Sequence, residues 1–358
     1  MEKRAIWYTF AVMQELCSQT VESLQSWMAE QGEKPFRAGQ VLQWLYAEGA
    51  RSFDAMTNLS KALRKALSER FSISSLTLVR SVMSEDQQTE KFLWKLADGK
   101  LVESVLISSF DRRTVCVSSQ VGCPARCAFC ASGKEGLKRH LSAAEIVEQV
   151  YLIDLALKKR NERVSHVVFM GMGEPMDNYD AVVSAIRILN APYGLNISQR
   201  RITVSTVGVV EGIQRLATED LKVNLVLSLH APNQHIRKKI IPYARKYPLE
   251  EVLIAMDWYG KVTKREITYE YTLLRGINDR PEHAQELAEL LKNKPCTVNL
   301  IPYNPVDGLR LERPDGQEIE LFKQILEEAK INTTWRYTKG KDIAAACGQL
   351  ALQTEENT

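Results

Sequence analysis

From residue 92 onward the chain alternates between two textures. Short apolar, β-branched runs ("TVCVSS", "HVVFMG", "RITVST", "VNLVLSLH", "ITYEYTLL", "TVNLIPY", "TTWRYT") are the first. Among them stand longer runs with apolar residues at three- and four-residue spacing: "LSAAEIVEQVYLIDLALKK", "YDAVVSAIRILN", "EEVLIAMDWYG", "PEHAQELAELLKN" and "GQEIELFKQILEEAK". The first kind reads as strand, the second as amphipathic helix. Ser142 and Glu145 form a capping box at the start of one helix. Nearly continuous apolar strands need cover on both faces, so the series predicts an α/β fold with a parallel sheet wrapped by helices. A full or partial barrel is the favoured form, with an open doubly wound sheet as the alternative. Ahead of the series, "KFLWKL" and "KLVESVLI" flank "ADGK", whose Asp-Gly pair predicts a hairpin.

Polar and glycine residues collect just past the strands: Cys123, Gly173-Glu174, Ser205-Thr206, His230, Asn278 and Asn304. In a barrel those strand ends share one mouth, where active sites sit. The first ninety residues read instead as helical. "VESLQSWMAEQG" and "FRAGQVLQWLYAEG" stop at Gly32 and Gly49, and "NLSKALRKALSERF" continues the pattern. The expected division is a helical accessory domain over 1–90, a barrel domain with its preceding hairpin over 91–350, and a polar tail over 351–358.

A chain of 358 residues with net charge +3 is not a globally basic nucleic-acid coat, so any RNA contact must be a local patch. The basic runs Arg112-Arg113, Lys138-Arg139-His140, Arg200-Arg201, Arg237-Lys238-Lys239 and Arg245-Lys246 are the candidates, several of them expected on the mouth side. "AIWYTFAVM" after Lys3-Arg4 is short for a signal core, contains Thr9 and leads into Gln14-Glu15 without a small-residue cleavage site. No stretch approaches the ~20 apolar residues needed to span a bilayer. A reducing, cytoplasmic setting is therefore expected, where clustered cysteines mean metal or catalysis more often than bridges.

Of seven cysteines, Cys123, Cys127 and Cys130 fall in "CPARCAFC", with gaps of three and then two residues and no fourth cysteine close behind. Structural zinc prefers four closed ligands, usually as two separated pairs. Cys116 or His140 could complete such a site. Iron–sulfur clusters are also held by loop cysteines, and a four-iron cube on three thiolates keeps one iron open for a substrate or cofactor. The spacing favours the cluster. Cys17 and Cys296 match no motif and read as structural.

Cys-x3-Cys-x2-Cys after the first barrel strand, with Phe129 inside it and "GMGEP" (Gly171 to Pro175) after the next strand, resembles the radical S-adenosylmethionine (SAM) superfamily. Further blocks occur in order: "VCVSSQVGCPARCAFCASG", "MGMGEPMDNYDAV", "RRITVSTVGVV", "SLHAPN", "NLIPYNP" and "DIAAACGQL". Together they resemble the RlmN/Cfr family of RNA adenine methyltransferases, from roughly Phe36 to Leu350. The resemblance implies a partial (βα)6 TIM-like barrel of the radical SAM type behind a small helical N-terminal domain. It also implies a 4Fe–4S cluster on Cys123, Cys127 and Cys130, and two SAM molecules per turnover. One SAM methylates a cysteine; the other yields a radical that takes hydrogen from the S-methyl group. The carbon radical then adds to adenine as a transient protein–RNA thioether.

By position in those motifs, Cys347 is the implied methyl carrier, Cys116 the resolving cysteine that forms a transient disulfide with it, and Glu103 the proton acceptor. Burial among apolar neighbours is expected to tune Glu103 toward a base. Gly173, Glu174, Ser205, Ser228, Leu229, His230 and Asn304 are the implied SAM contacts. The implied partners are 23S rRNA, tRNA and an electron donor such as flavodoxin, with no membrane and a monomeric chain. The expected product is 2-methyladenosine, since C2 methylation is the widespread housekeeping role. C8 methylation is the alternative, because "GLKRHL" shares its Leu-Lys pair with the C8 enzymes. "TKGKDIAAACGQL" departs from the family's usual "RGxDIDAACGQL" at Lys341 and Ala344. The alternative of another class is a zinc-containing RNA-binding protein without catalysis.

Overall fold

The computed structural model describes residues 13–336 and 339–350. The apolar start, residues 337–338 of "TTWRYT" and the tail "QTEENT" lie outside the described residues.

The chain opens with strand β1 (Gln14–Glu15) and helices α1 (Val21–Glu30), α2 (Phe36–Tyr46) and α3 (Lys61–Arg70), followed by strand β2 (Phe71–Ser72), which pairs with β1. The Thr20 hydroxyl accepts the Ser23 N–H and the Ser60 hydroxyl accepts that of Leu63, satisfying N–H groups that a helix start leaves bare. The two predicted stops hold: Gly32 and Gly49 adopt φ of +70° and +69° just past α1 and α2.

Strands β3 (Thr77–Met83), β4 (Thr89–Lys95) and β5 (Leu101–Ser108) form an antiparallel meander, and β4–β5 is the hairpin predicted from "ADGK". The barrel series follows. Strand β6 (Arg113–Cys116) leads into the cysteine loop, where β7 (Gln120–Val121) and β8 (Arg139–His140) pair, and then into α4 (Ala143–Lys158). After it come β9 (His166–Phe169), α5 (Tyr179–Asn190), β10 (Ile202–Thr206), α6 (Val210–Thr218), β11 (Asn224–Ser228), α7 (Gln234–Ile240) and α8 (Leu249–Thr263). The last are β12 (Ile267–Leu273), α9 (Pro281–Leu290), β13 (Cys296–Pro302), α10 (Gly316–Glu328) and β14 (Asn332–Trp335).

One ten-stranded sheet results, in the order β14-β13-β12-β11-β10-β9-β6-β5-β4-β3. The strands from β6 through β9 to β14 are mutually parallel, so six strand–helix units run in sequence and β14 ends them. The sheet keeps two edges, β14 and β3, and is therefore a partial barrel, as expected. Its parallel strands are the apolar runs of the sequence: Val115, Val167, Val204, Leu225, Leu227, Leu300 and Val298 are all fully buried.

Several elements differ from the sequence reading, among them the two-residue strands β1, β2, β7 and β8. Thr77–Met83, within the stretch that reads as helical, forms edge strand β3. It pairs only with β4 and is exposed on both faces, so it carries no buried alternation to read. Helices α6 and α7 carry no legible signal in the sequence; at nine and seven residues they offer only about two turns of pattern each.

The helical start shares one continuous apolar core with the barrel, including Leu42 and Tyr46 from α2 and Val147 and Tyr151 from α4. Tyr151 Oη donates to the Leu45 carbonyl at 2.8 Å, and the Glu148 carboxylate accepts the N–H groups of Ser75 and Leu76 at 2.9 Å. No described helix is long and apolar enough to cross a membrane.

Candidate active site

Parallel pairing brings the C-terminal strand ends to one rim. Cys116 stands opposite Val168, Ser205 opposite Val226, and Ser228 opposite Glu270. Beyond that rim, Cys123, Cys127, Cys130, Gly173, Glu174, Ser205, Ser228, His230, Asn304 and Cys347 line one cavity, together with Phe129, Glu270 and Tyr303. Ten of the thirteen residues singled out from the sequence are thus neighbours in space.

Each is fixed by local chemistry. Gly173 has φ +111°, and a Cβ there would lie 2.7 Å from Ser119 Oγ and from Gln120 Cβ, so only glycine lets this turn pass. Next to it the Glu174 carboxylate accepts the N–H of Met176 at 3.0 Å and of Val207 at 2.8 Å, while burial pushes its pKa up to about 7. Ser205 and Ser228 share a hydroxyl hydrogen bond of 3.0 Å.

His230 adopts φ +54°, a region that non-glycine residues enter at a cost. Its Nδ1 accepts the Thr272 N–H at 2.9 Å, which leaves Nε2 as the ring's donor. Burial, and then the charge of Arg237, hold its pKa down at about 3, so the ring is neutral. Asn278 stands behind it rather than in the cavity, donating to the carbonyls of His230 and Thr272 at 2.7 Å. Leu229 is also absent from the cavity wall: it is fully buried, and its N–H donates to the Glu270 carbonyl at 3.0 Å.

Cys347 is exposed, and its loop is tied down on both sides. Asn304 Nδ2 donates to the Cys347 carbonyl at 3.2 Å, the Ala131 N–H to that of Gly348 at 2.8 Å, and the Ser132 hydroxyl to that of Leu350 at 2.8 Å. The loop of the three cysteines and the loop of Cys347 are therefore held together. Cys116 and Cys347 meet in an adjoining cavity, which Val105, Cys130 and Arg336 also line. Both are free thiols. Burial and the neighbouring Cys347 push the Cys116 thiol up to about 12, while Arg336 pulls it the other way.

Glu103 departs from expectation. It is buried, but not among apolar groups alone: Lys91 Nζ lies 3.2 Å from its Oε1. It shares a face of β5 with Val105, two residues on.

Desolvation raises the thiols of Cys123, Cys127 and Cys130, and for Cys123 and Cys127 neighbouring thiols add to the rise. Thiols so placed become ligands when a metal centre supplies positive charge. Among the described residues no three His, Cys, Asp or Glu side chains converge tightly enough for a single ion. Three thiols spread round one cavity suit a multi-iron cluster instead. His140 does not line the cavity of the three cysteines; its Nδ1 meets Gln120 Nε2 at 3.1 Å instead.

Residues 14–73 match the ribosomal RNA large subunit methyltransferase N-terminal domain, and residues 117–291 match the radical SAM superfamily. The chain is 63% identical over 335 residues, 94% of each protein, to a probable dual-specificity RNA methyltransferase RlmN 2 of Protochlamydia amoebophila. It belongs to the RlmN family of radical SAM RNA methyltransferases. A further RlmN relative, from Geobacillus kaustophilus, is 46% identical over 99% of this chain and 98% of its own. The crystal structure of a radical SAM methyltransferase from Sphaerobacter thermophilus superposes with a TM-score of 0.92 at 44% identity, covering 94% of this chain and 99% of that one. The superfamily's SAM and 4Fe–4S cluster follow for this RlmN-family chain.

Several basic residues sit elsewhere than expected for RNA contacts. Arg237 is fully buried; its guanidinium donates to the carbonyls of Val207 at 2.5 Å and Leu229 at 3.2 Å, next to Cys127 and Glu174. Arg112, Arg200 and Arg201 stand just ahead of β6 and β10 and Arg113 opens β6, all at the rim opposite the cavity. Arg139 is bound to Glu145 and Asp98. Lys138, Lys238, Lys239, Arg245 and Lys246 remain exposed past their strands.

The sequence reading also passed over Glu270 and Arg336, which pair at 3.5 Å beside the cysteines. The signal was present: a charged residue inside the apolar strand "ITYEYTLL", and another at the end of the series in "TTWRYT".

Proposed function

We propose that this enzyme methylates C2 of one adenosine in 23S rRNA, and of an adenosine near the anticodon in some tRNAs, through a methyl group carried by Cys347. The observation that carries this reading is the shared cavity of Cys116, Cys347 and the cluster ligand Cys130. C2 of adenine is not a nucleophile, so a carbon delivered from a cysteine sulfur calls for a second cysteine within reach to release it. The relatives' designation as dual-specificity enzymes supports a substrate set that includes tRNA.

When bound, the cluster on Cys123, Cys127 and Cys130 and two SAM molecules in turn supply the methyl group and the radical chemistry that activates it. Gly173, Glu174, Ser205, Ser228, His230 and Asn304 line the cavity that would hold SAM, with the Leu229 backbone behind them. Cys347 presents its sulfur to that cavity and carries the one-carbon unit to adenine as a thioether. Glu103 takes the proton from the substituted ring carbon while the adduct radical gives up one electron to a one-electron carrier of the flavodoxin class, which restores the closed-shell ring. Cys116 then attacks the Cys347 sulfur; the S–C bond breaks, a disulfide forms, and the methylated base takes up a proton. A flavodoxin-like donor, a cytoplasmic setting and a monomeric chain complete the proposal.

The test is nucleoside mass spectrometry on 23S rRNA and tRNA from a host without its own C2 enzyme, expressing this chain or its Cys347→Ala variant. The expected result is 2-methyladenosine in both RNAs with the native chain and in neither with the variant. Appearance of 8-methyladenosine would transfer the assignment to C8. Neither product from protein carrying an intact cluster would overturn the substrate.

A further inference from the structure

Three neighbouring strands begin side by side at the rim opposite the cavity, with His166 of β9 opposite Thr114 of β6 and Val167 opposite Ile202 of β10. An arginine stands at or just ahead of each start: Arg112 and Arg113 at β6, Arg163 at β9, and Arg200 and Arg201 at β10. Two carboxylates lie among them: Glu162 is taken up by Arg113 and Asp111 stands 3.6 Å from Arg112, so Arg200 and Arg201 are exposed cations outside these pairs. Arg113, Arg163 and Arg201 line a groove of about 440 Å³ together with Phe110. Phe110 is fully exposed at the tip of the β5–β6 turn, where Ser109 and Arg112 exchange backbone hydrogen bonds.

Cations often gather at helix C-termini to offset the dipole, and that accounts for Lys158 and Lys159 at the end of α4. Arg112 and Arg113 follow a strand and pair with Asp111 and Glu162, but neither those pairs nor a helix end accounts for Arg200 and Arg201, well past the end of α5 at Asn190. Nor does the cavity chemistry use an exposed phenylalanine framed by guanidinium groups.

We propose that this rim is a second RNA-docking surface, which holds backbone phosphates and one unstacked base of the substrate outside the target loop. The inference rests on the reading of RNA as the substrate. Three strand starts span about 10 Å, enough to meet successive phosphates of one strand. Arginine's planar fork suits phosphate oxygens, and a solvent-facing aromatic ring offers a sequence-tolerant stacking platform. The two rims stand at least the five residues of β10 apart, about 17 Å. A short hairpin seated in the mouth does not reach this groove, whereas a large folded RNA passing down the side of the barrel does. Docking here therefore selects for large substrates.

Two variants test it, both at exposed positions outside the catalytic cavity: Phe110→Ser and the pair Arg200→Glu/Arg201→Glu. Filter binding across a salt series would use a full-length 23S transcript and, separately, a short hairpin cut around the modified adenosine; methylation of both is assayed in parallel. Each variant should weaken binding of the long transcript about tenfold, and the arginine pair should also flatten its log–log salt slope by about two. Hairpin binding and methylation should stay unchanged. Unaltered binding of the long transcript by either variant, or an equal loss on both RNAs, overturns the proposal. Absence of methylation by the native chain on either RNA would instead count against the enzymatic reading, which the binding data do not measure.

Discussion

Lys91 Nζ lies 3.2 Å from Glu103 Oε1 with both side chains buried, and the same ammonium donates to the Ala344 carbonyl at 3.3 Å. One cation thus links the proposed proton acceptor to the loop that carries Cys347. Removing one partner of a buried pair weakens the hold on the other charge, at a cost of up to about 3–5 kcal/mol, whereas replacing both with apolar groups is often close to neutral. Lys91→Met should therefore lower the unfolding free energy by up to about 3 kcal/mol. Lys91→Met/Glu103→Leu should recover most of that loss. Urea titration of the two variants measures both; a double variant no more stable than Lys91→Met would mean that the pair is not coupled.

The adjoining positions of Cys116 and Cys347 give the chemistry a sharp signature. If Cys116 releases the thioether, Cys116→Ala should stop turnover after the carbon–carbon bond forms, and a covalent protein–RNA species should survive denaturing electrophoresis and disappear on nuclease digestion. Cys347→Ala, which removes the carrier, should give no such species. Normal turnover by Cys116→Ala would remove the resolving role from this residue.

Arg336 lines the cavity of the two thiols and pairs with Glu270 at 3.5 Å. Its positive charge opposes the burial that raises the Cys116 pKa. Arg336→Gln should shift alkylation of Cys116 by iodoacetamide to higher pH, so that the rate at pH 9 falls several-fold. Arg336→Lys should keep most of it. Peptide mass spectrometry follows the labelling, and an unchanged pH profile in Arg336→Gln would mean that the guanidinium does not act on this thiol.

The parallel strands were legible because each is a buried, β-branched run with helical periodicity on either side, and the cysteine spacing singled out a loop that lines the cavity. What escaped had a physical reason. The edge strand β3 buries neither face, so Thr77–Met83 carries no alternation. Arg237 reads as part of a basic run with Lys238 and Lys239, yet a seven-residue helix turns it inward while its neighbours stay in water. No local pattern separates those two fates. Glu103 and Glu270 carry the same signal, a carboxylate inside an apolar strand. Motif position singled out the first, and only the fold reveals that Lys91 and Arg336 accompany them.

His230 supplies a pH dependence of known sign. Burial and the Arg237 charge depress its pKa to about 3, below the ordinary value near 6.5. The folded protein therefore resists a proton that the unfolded chain accepts. The resulting stability is complete above about pH 6.5 and is lost progressively as pH falls toward 3. By pH 4 the loss approaches about 3 kcal/mol for this one group. His230→Asn isolates the effect, because asparagine tolerates the left-handed backbone better than most residues and has an oxygen to accept the Thr272 N–H. The native chain should lose its stability advantage over the variant between pH 7 and pH 4. An advantage that stayed constant across that range in denaturant titrations would show that His230 takes up a proton as readily in the folded protein as in water.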